Sequence, residues 1–411
     1  MGKELTGACI IAQSGGPTAV INASALGVIK TALSFGCITK VYGAAHGIKG
    51  VINDVIYDMG AEDERELELL LHTPSSALGS CRYKLKDYNK DTADYERILE
   101  VFKKYDVRYF FYNGGNDSMD TCNKISKYMQ RSGYECRIIG IPKTIDNDLY
   151  GTDFCPGYGS AAKYIASTFC ELYQDASVYD TGAITIVEVM GRNAGWLTAA
   201  ASLANLCGTG PDYVYLPEIS FDFEKFIADI ERAFNTRGNA LVAVSEGVKD
   251  RDGKLISEYG SFAPRTTDSF GHIQLGGLAA VLAAAVKERT GKKVRGLELS
   301  LLQRCANHLA SKVDSDCAYL SGKAAVEAAV SGETDMMVAL ERTGGGFTAK
   351  LIALSSVANI EKTVPLGWIN VTGNGIEKEF YDYALPLIQG ELEYITENGL
   401  PRHARLKKVR A

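Results

Sequence analysis

The sequence predicts an α/β protein of two lobes, with mainly parallel sheets covered by helices. Three observations predict it. Short apolar runs that end in glycine or small polar residues alternate with segments of helical periodicity, the pattern of parallel strands and their crossover helices. The chain has 411 residues, more than one average domain. No short-period repeat and no low-complexity linker separates its parts, so it is expected to cross between lobes more than once.

The elements follow in order. "ACIIAQSGG" reads as a first buried strand, and "VINASALGVIKTALSFG" as a helix stopping at Gly36. "VRYFFYNGG" repeats the arrangement, with "DSMDTCNKISKYMQRSG" as its helix. "CRIIGIPKT", "AITIVEVMG", "DYVYLPE" and "ALVAVSEG" are further strands. "RNAGWLTAAASLANL", "FEKFIADIERAFNTRG" and "GGLAAVLAAAVKERTG" carry helical periodicity. "MMVALERTGGGFTAKLIALSS" breaks the alternation and reads as a hairpin turning at Gly344 to Gly346. The expected division is 1–142, completed by later segments; 143–330, with crossings between lobes; and 331–411, a hairpin and helical segment.

Composition narrows the function. The chain is 46% hydrophobic and 23% charged, the balance of a soluble globular protein. A net charge of −6 argues against a nucleic-acid-coating surface. The basic end "RHARLKKVR" is short and is expected to be a frayed, solvated terminus. No run of about 18 apolar residues predicts a membrane span. The N-terminus lacks the order of a signal peptide. Met1-Gly2 with Thr6 fits a myristoylation pattern, but the apparent burial of Ala8 to Ala12 argues against it. Ten cysteines without a C-x-x-C pair suggest free thiols in a reducing cytoplasm. Five histidines show no ligand spacing, so zinc is not expected.

Three loops follow predicted strands, where open α/β sheets bind ligands. In "SGGPTAVINA", Gly15 and Gly16 let backbone N–H groups approach an anion at a helix N-terminus, or form an ordinary strand-to-helix turn. In "FYNGGNDSMDT", Gly114 and Gly115 end a strand, while Asp117 or Ser118 suits a helix cap. In "PKTIDNDLYGTD", Lys143, Thr144, Asp146 and Asp148 share one loop, either solvated or catalytic. In the catalytic reading one carboxylate takes a proton from a hydroxyl while another helps hold a metal ion.

With these loops, the sequence resembles the phosphofructokinase family. "GGNDS" and "PKTIDND" resemble its two signature loops, and "VEVMGRNAGW" its sugar-phosphate loop. The resemblance runs in family order from "SGGPTAVINA" through "GSCRY" and "SEG" to "LLQR", about residues 7–330. It implies the two-lobed phosphofructokinase fold, with 1–142 as donor lobe and 143–330 as sugar-phosphate lobe. It implies Asp146 as the base for the C1 hydroxyl of fructose 6-phosphate, with Thr144 and Asp148 beside it. Met190, Gly191, Arg192, Glu246 and Arg304 match sugar-phosphate contacts, and Arg295 an arginine that reaches the 6-phosphate. Gly15, Gly115 and Arg82 match donor contacts. Asn116 stands where ATP-dependent members carry a magnesium-associated Asp, so Asn116 and Asp148 are the implied Mg²⁺ residues.

Two charges bear on the donor. ATP-dependent members resemble "GGDGS" and carry glycine where this chain has Asp117, and glycine again where it has Lys143. An acid near the α-phosphate of ATP, at about 5 Å and an effective dielectric near 20, repels by about 3 kcal/mol, roughly two orders of magnitude in affinity. Lys143 suits a short, highly charged donor. The pair is the family's pattern for pyrophosphate-dependent members, whose reaction is expected to run both ways. The implied partners are pyrophosphate and fructose 6-phosphate, in a cytoplasmic homodimer or homotetramer.

Departures and rivals remain. Many members carry an arginine seven residues before the motif's methionine that serves a neighbouring subunit; this chain has Ala183. "DSFGHIQLGG" resembles the family's "GHIQRGG", but spacing favours "LLQR" as the counterpart and leaves His272 as a structural or turn histidine. The rivals are an ATP-dependent 6-phosphofructokinase and a non-catalytic, sugar-phosphate-sensing regulatory subunit.

Overall fold

The computed structural model describes residues 5–178, 180–259, 277–358 and 360–411. The chain forms two compact units. The first comprises 1–160, 304–361 and 390–411; the second comprises 161–303 and 362–389. The expected divisions at 142 and 330 thus differ from those observed at 160, 303, 361 and 389.

The first unit holds a seven-stranded sheet. Its strands are β1 (Gly7–Gln13), β2 (Ile38–Ala44), β3 (Ile56–Asp58), β4 (Val107–Gly114) and β5 (Arg137–Pro142). The second unit contributes β6 (Ile184–Val189), β7 (Tyr213–Tyr215), β8 (Ala240–Ser245) and β9 (Val294–Glu298) in a separate sheet. The chain then returns to the first sheet with β10 (Met336–Thr343) and β11 (Gly346–Ala353). The order in the first sheet is β11-β10-β5-β4-β1-β2-β3, and in the second β7-β8-β6-β9. Among the described residues of these two sheets the pairings are parallel except at the edges β2–β3 and β10–β11.

Burial on both faces explains the unbroken apolar runs. Cys9 and Ile11 of β1 face one cluster with Tyr109 and Phe111 of β4; Ile10 and Ala12 face the other with Phe110 and Tyr112. On the first face the helices Ile21–Ser34 and Lys312–Val330 pack tightly. Gly27 and Gly322 make this possible: a Cβ on either would collide with backbone of the other helix. On the second face lie helices Ala93–Lys104 and Asn116–Arg131.

The hairpin turns as expected, with Thr343 paired to Gly346. Two expectations are corrected. "RNAGWLTAAASLANL" forms only a short α-helix, Trp196–Ala200, followed by a 3₁₀ turn, Ala201–Cys207. The basic C-terminus is not frayed. Arg402 pairs with Glu66, the Arg405 amide donates to Glu66 at 2.6 Å, and the amides of Lys407 and Lys408 donate to Glu62, each at 2.7 Å. The tail ends beside β3, where the Asp58 amide donates to the Val409 carbonyl. One basic side chain and three backbone amides thus meet acids more than 300 residues away in sequence, and the backbone covers a sheet edge.

No helix among the described residues is long and apolar enough to cross a membrane. All ten cysteines are free. Gly2 and His272 lie outside the described residues, as does "DSFGHIQLGG" apart from Gly277.

Candidate active site

Strands β1, β4 and β5 are adjacent and parallel, so the three loops leaving their carboxyl ends are neighbours. They carry Gly15, Gly115 to Asp117, and Lys143 to Asp148.

Lys143 sits at the centre of this group. It is 2% exposed, and its ammonium donates to the Gly16 carbonyl at 2.7 Å. A Cβ on Gly15 would lie 3.1 Å from that nitrogen, and one on Gly16 would lie 3.4 Å from an Arg304 guanidinium nitrogen. Burial pulls the Lys143 pKa down to about 8; Asp146 and Asp148 oppose the shift, while Arg304 and Arg82 add to it. Burial, then the charge of Arg82, also lowers the pKa of Arg304. Gly15, Lys143, Arg304 and Arg82 thus form a cationic group around a glycine turn, suited to an anion with several oxygens.

The acidic side of the loop is shaped by Asn147, which the sequence reading passed over. Its φ of 55° is left-handed, and its buried side chain accepts from the Cys155 amide at 3.0 Å. The turn leaves Asp146 and Asp148 partly accessible on either side of a buried residue. The signal was present as an Asn between two acids, since Asn tolerates this conformation best among non-glycine residues. The Asp146 amide donates to Thr144 Oγ1 at 3.1 Å. Burial, reinforced by Asp146, pushes the Asp148 pKa up to about 7.

Asn116 opens the helix Asn116–Arg131. Its amide nitrogen donates to the Ile360 carbonyl at 3.2 Å, leaving a buried Oδ1 with no donor. Gly115 is the helix N-cap, and no side chain caps the helix. Asp117 therefore lies in the first turn without capping it; its carboxylate stands 3.8 Å from Lys84, a partner no sequence signal indicated.

The second unit brings together a different set. The loop after β6 carries Met190, Gly191 and Arg192, and the adjacent β8 leads into Glu246. Gly191 has φ +139°, where a side chain would be strained and would meet the Ala194 carbonyl at 2.7 Å. Its amide donates to Glu246 Oε1 at 3.3 Å, and its carbonyl accepts from Ser245 Oγ at 2.6 Å. The Met190 amide donates to Gln303 Oε1 at 3.3 Å. Burial raises the Glu246 pKa. Arg295 does not join them. It pairs in register with Thr185, near the start of β6, and is bound to Asp175 at 3.2 Å. At about 3.3 Å per strand residue it is roughly 16 Å along the sheet from Met190.

A family profile described as phosphofructokinase matches residues 8–329. A pyrophosphate–fructose 6-phosphate 1-phosphotransferase of Halomonas elongata is 45% identical, over 97% of this chain and 96% of its own. Crystal structures of pyrophosphate-dependent phosphofructokinases from Marinobacter aquaeolei and Nitrosospira multiformis are 40% and 42% identical. Each superposes with a TM-score of 0.89, covering 98% of this chain and 97% of its own.

Proposed function

Because the chain belongs to the phosphofructokinase family, we propose that it reversibly transfers a phosphoryl group from pyrophosphate to the C1 hydroxyl of fructose 6-phosphate. The products are fructose 1,6-bisphosphate and phosphate. The observation that carries the donor assignment is the buried Lys143 ammonium against the Gly15–Gly16 turn. It takes up room and supplies charge where a long nucleotide would lie, while Asp117 adds a repelling charge beside it. A short, highly charged donor suits both.

Phosphoryl transfer asks for positioning and charge neutralisation more than covalent catalysis. Lys143, Arg82 and Arg304 neutralise the donor, with the Gly15 and Gly115 turns giving it room. Asp146 accepts the C1 proton, held by Thr144. Arg192, on a loop fixed by Met190 and Gly191, and Glu246, after the adjacent β8, hold the sugar phosphate. Arg295 would serve the 6-phosphate of a neighbouring copy, since its register keeps it away from Met190 of its own chain. A homodimer or homotetramer would supply that copy.

A divalent cation suits the first unit. The Asn116 Oδ1 that lacks a donor and the Asp148 carboxylate beside Asp146 are hard oxygen ligands, and Mg²⁺ needs few of them from protein. Asn116 and Asp148 would hold it, and bound Mg²⁺ would neutralise phosphate charge. Proton removal and sugar binding remain with the side chains above.

The test is fructose 1,6-bisphosphate formation by the purified chain with pyrophosphate or with ATP, and the reverse reaction from fructose 1,6-bisphosphate and phosphate. Activity in both directions with pyrophosphate alone is expected. Asp146→Asn should lower kcat by about 10²–10⁴ with little change in the KM for fructose 6-phosphate. ATP use by the unmodified chain would overturn the donor assignment, and inactivity with both donors would leave a regulatory subunit.

A further inference from the structure

The segment Lys362–Gln389 lies beyond the residues matched to the family and belongs to the second unit. It converges on the back of the Arg192 loop. Three residues after Arg192, the Gly195 amide donates to Glu218 Oε1 at 2.9 Å. The same oxygen accepts from the Val364 amide at 2.9 Å. Glu218 follows the carboxyl end of β7, whose edge the same segment covers through a bond from the Val214 amide to the Asn374 carbonyl at 3.0 Å.

The next residue repeats the fastening. Trp196 is 2% exposed, and its indole donates to the Lys362 carbonyl at 2.9 Å. Its ring packs on Trp368, Tyr383 and Phe380, with centroids 6.0, 5.2 and 6.4 Å away. The loop is thus held at its front by Ser245 and Glu246, and at its back by a carboxylate and an indole that both bind segment 362–389. A buried carboxylate oxygen that accepts from two backbone amides ties together the two stretches of chain that carry them.

We propose that segment 362–389 is a buckle for the Arg192 loop, with Glu218 and Trp196 as positioning residues that set affinity for the sugar phosphate. Neither touches substrate; both act through the backbone that carries Arg192. The proposal rests on the assignment of Arg192 to the sugar phosphate.

The experiment uses the full chain as wild type, Glu218→Ala, Glu218→Gln and Trp196→Phe. Glu218→Ala should raise the KM for fructose 6-phosphate about tenfold, because small displacements of positioning groups cost large factors in rate and affinity. Its KM for pyrophosphate should stay within about twofold. Glu218→Gln keeps an acceptor oxygen and should recover most of the loss. Trp196→Phe, which removes only one donor, should shift the same parameter by a smaller factor and covers the case of Glu218→Ala failing to fold. Equal loss for both substrates, or an unchanged KM for fructose 6-phosphate, would overturn the proposal.

A second readout separates the two assignments. The chain has two tryptophans, Trp196 behind the Arg192 loop and Trp368 in the buckle, and their rings are in contact. Their emission should shift to the red in Glu218→Ala, and fructose 6-phosphate should change it in the wild type. Wild-type protein that neither binds nor phosphorylates fructose 6-phosphate would refute the functional assignment. In that event an unshifted Glu218→Ala spectrum would refute the buckle as well, and a shifted one would sustain it.

Discussion

Asp117 and Lys143 carry opposite charges into neighbouring loops, and each makes its own prediction. Replacing Asp117 by glycine removes the repulsion but leaves the helix start intact, because Gly115 is the N-cap and Asp117 caps nothing. Asp117→Gly should therefore gain ATP-dependent activity by about 10- to 100-fold while losing only about 1 kcal/mol of stability, from glycine in the first turn and the lost Lys84 pair. A variant that gains none would place the selectivity elsewhere. Lys143 is buried, with a pKa of about 8 in the free protein. Its lowered value means the ammonium is lost as pH rises through about 8, so pyrophosphate affinity should weaken across that range. Lys143→Met should bind roughly 30-fold more weakly below it and lack this part of the pH dependence. Titration calorimetry between about pH 6.5 and 9.5 would decide, and parallel profiles for the two proteins would refute the role. Both charges were legible in the sequence because each stands just past the end of a buried apolar strand. Arg295 was legible as a residue but not as a place: only the register of β9 on β6 shows which end of the sheet it occupies.

Elements were legible where burial left a period or a run, and obscure where it did not. The strands β1, β4, β5, β6 and β8 are buried on both sides and read as apolar runs ending at loops. The helix Lys312–Val330 went unread. Its buried stripe is made largely of Ala, Ser, Gly and Cys, which contrast only weakly in hydropathy with the exposed Lys312, Asp316, Lys323 and Glu327. β2 mixes exposed and buried positions, and β3 has three residues, too few for a pattern. The C-terminal tail was misread because its partners, Glu62 and Glu66, lie more than 300 residues away in sequence. Its bonds predict a measurable contribution. Deleting 402–411 removes the pairing with Glu66, the amide bonds to Glu62 and the cover over β3. At about 1 kcal/mol net per buried or charge-assisted bond, the loss is about 2–4 kcal/mol. Calorimetry should show a lowered Tm, while a freely solvated tail would leave it unchanged.

At the scale of the whole molecule, the two units are interleaved along the chain. The first is built from three stretches and the second from two, so the polypeptide passes between them four times. Multiple crossings were expected from the missing linker, but their positions were not legible, since a boundary inside a packed helix leaves no mark in composition. The helix Tyr158–Ala176 itself spans the division at 160. The interleaving predicts that no contiguous half of the chain is a domain. Fragment 1–160 contains β1 to β5 with their glycine loops and Lys143, yet lacks β10, which pairs with β5, and the β11 that follows it. It also lacks helix Lys312–Val330, whose Ala325, Val326 and Ala329 complete the core against Cys9, Ile11 and Phe111. Apolar burial of this kind stabilises by about 25 cal/mol per Å², so an uncovered sheet face forfeits several times the margin of a typical domain. The free edge of β5 would then be open to pairing with other chains. Expressed alone, 1–160 should show no cooperative thermal transition and should aggregate, whereas a fusion of 1–160 to 304–361 through a flexible linker should regain one. Cooperative melting of 1–160 alone would show that the nucleus of this unit is the β1–β5 sheet by itself, with the returning strands as additions to a fold already complete.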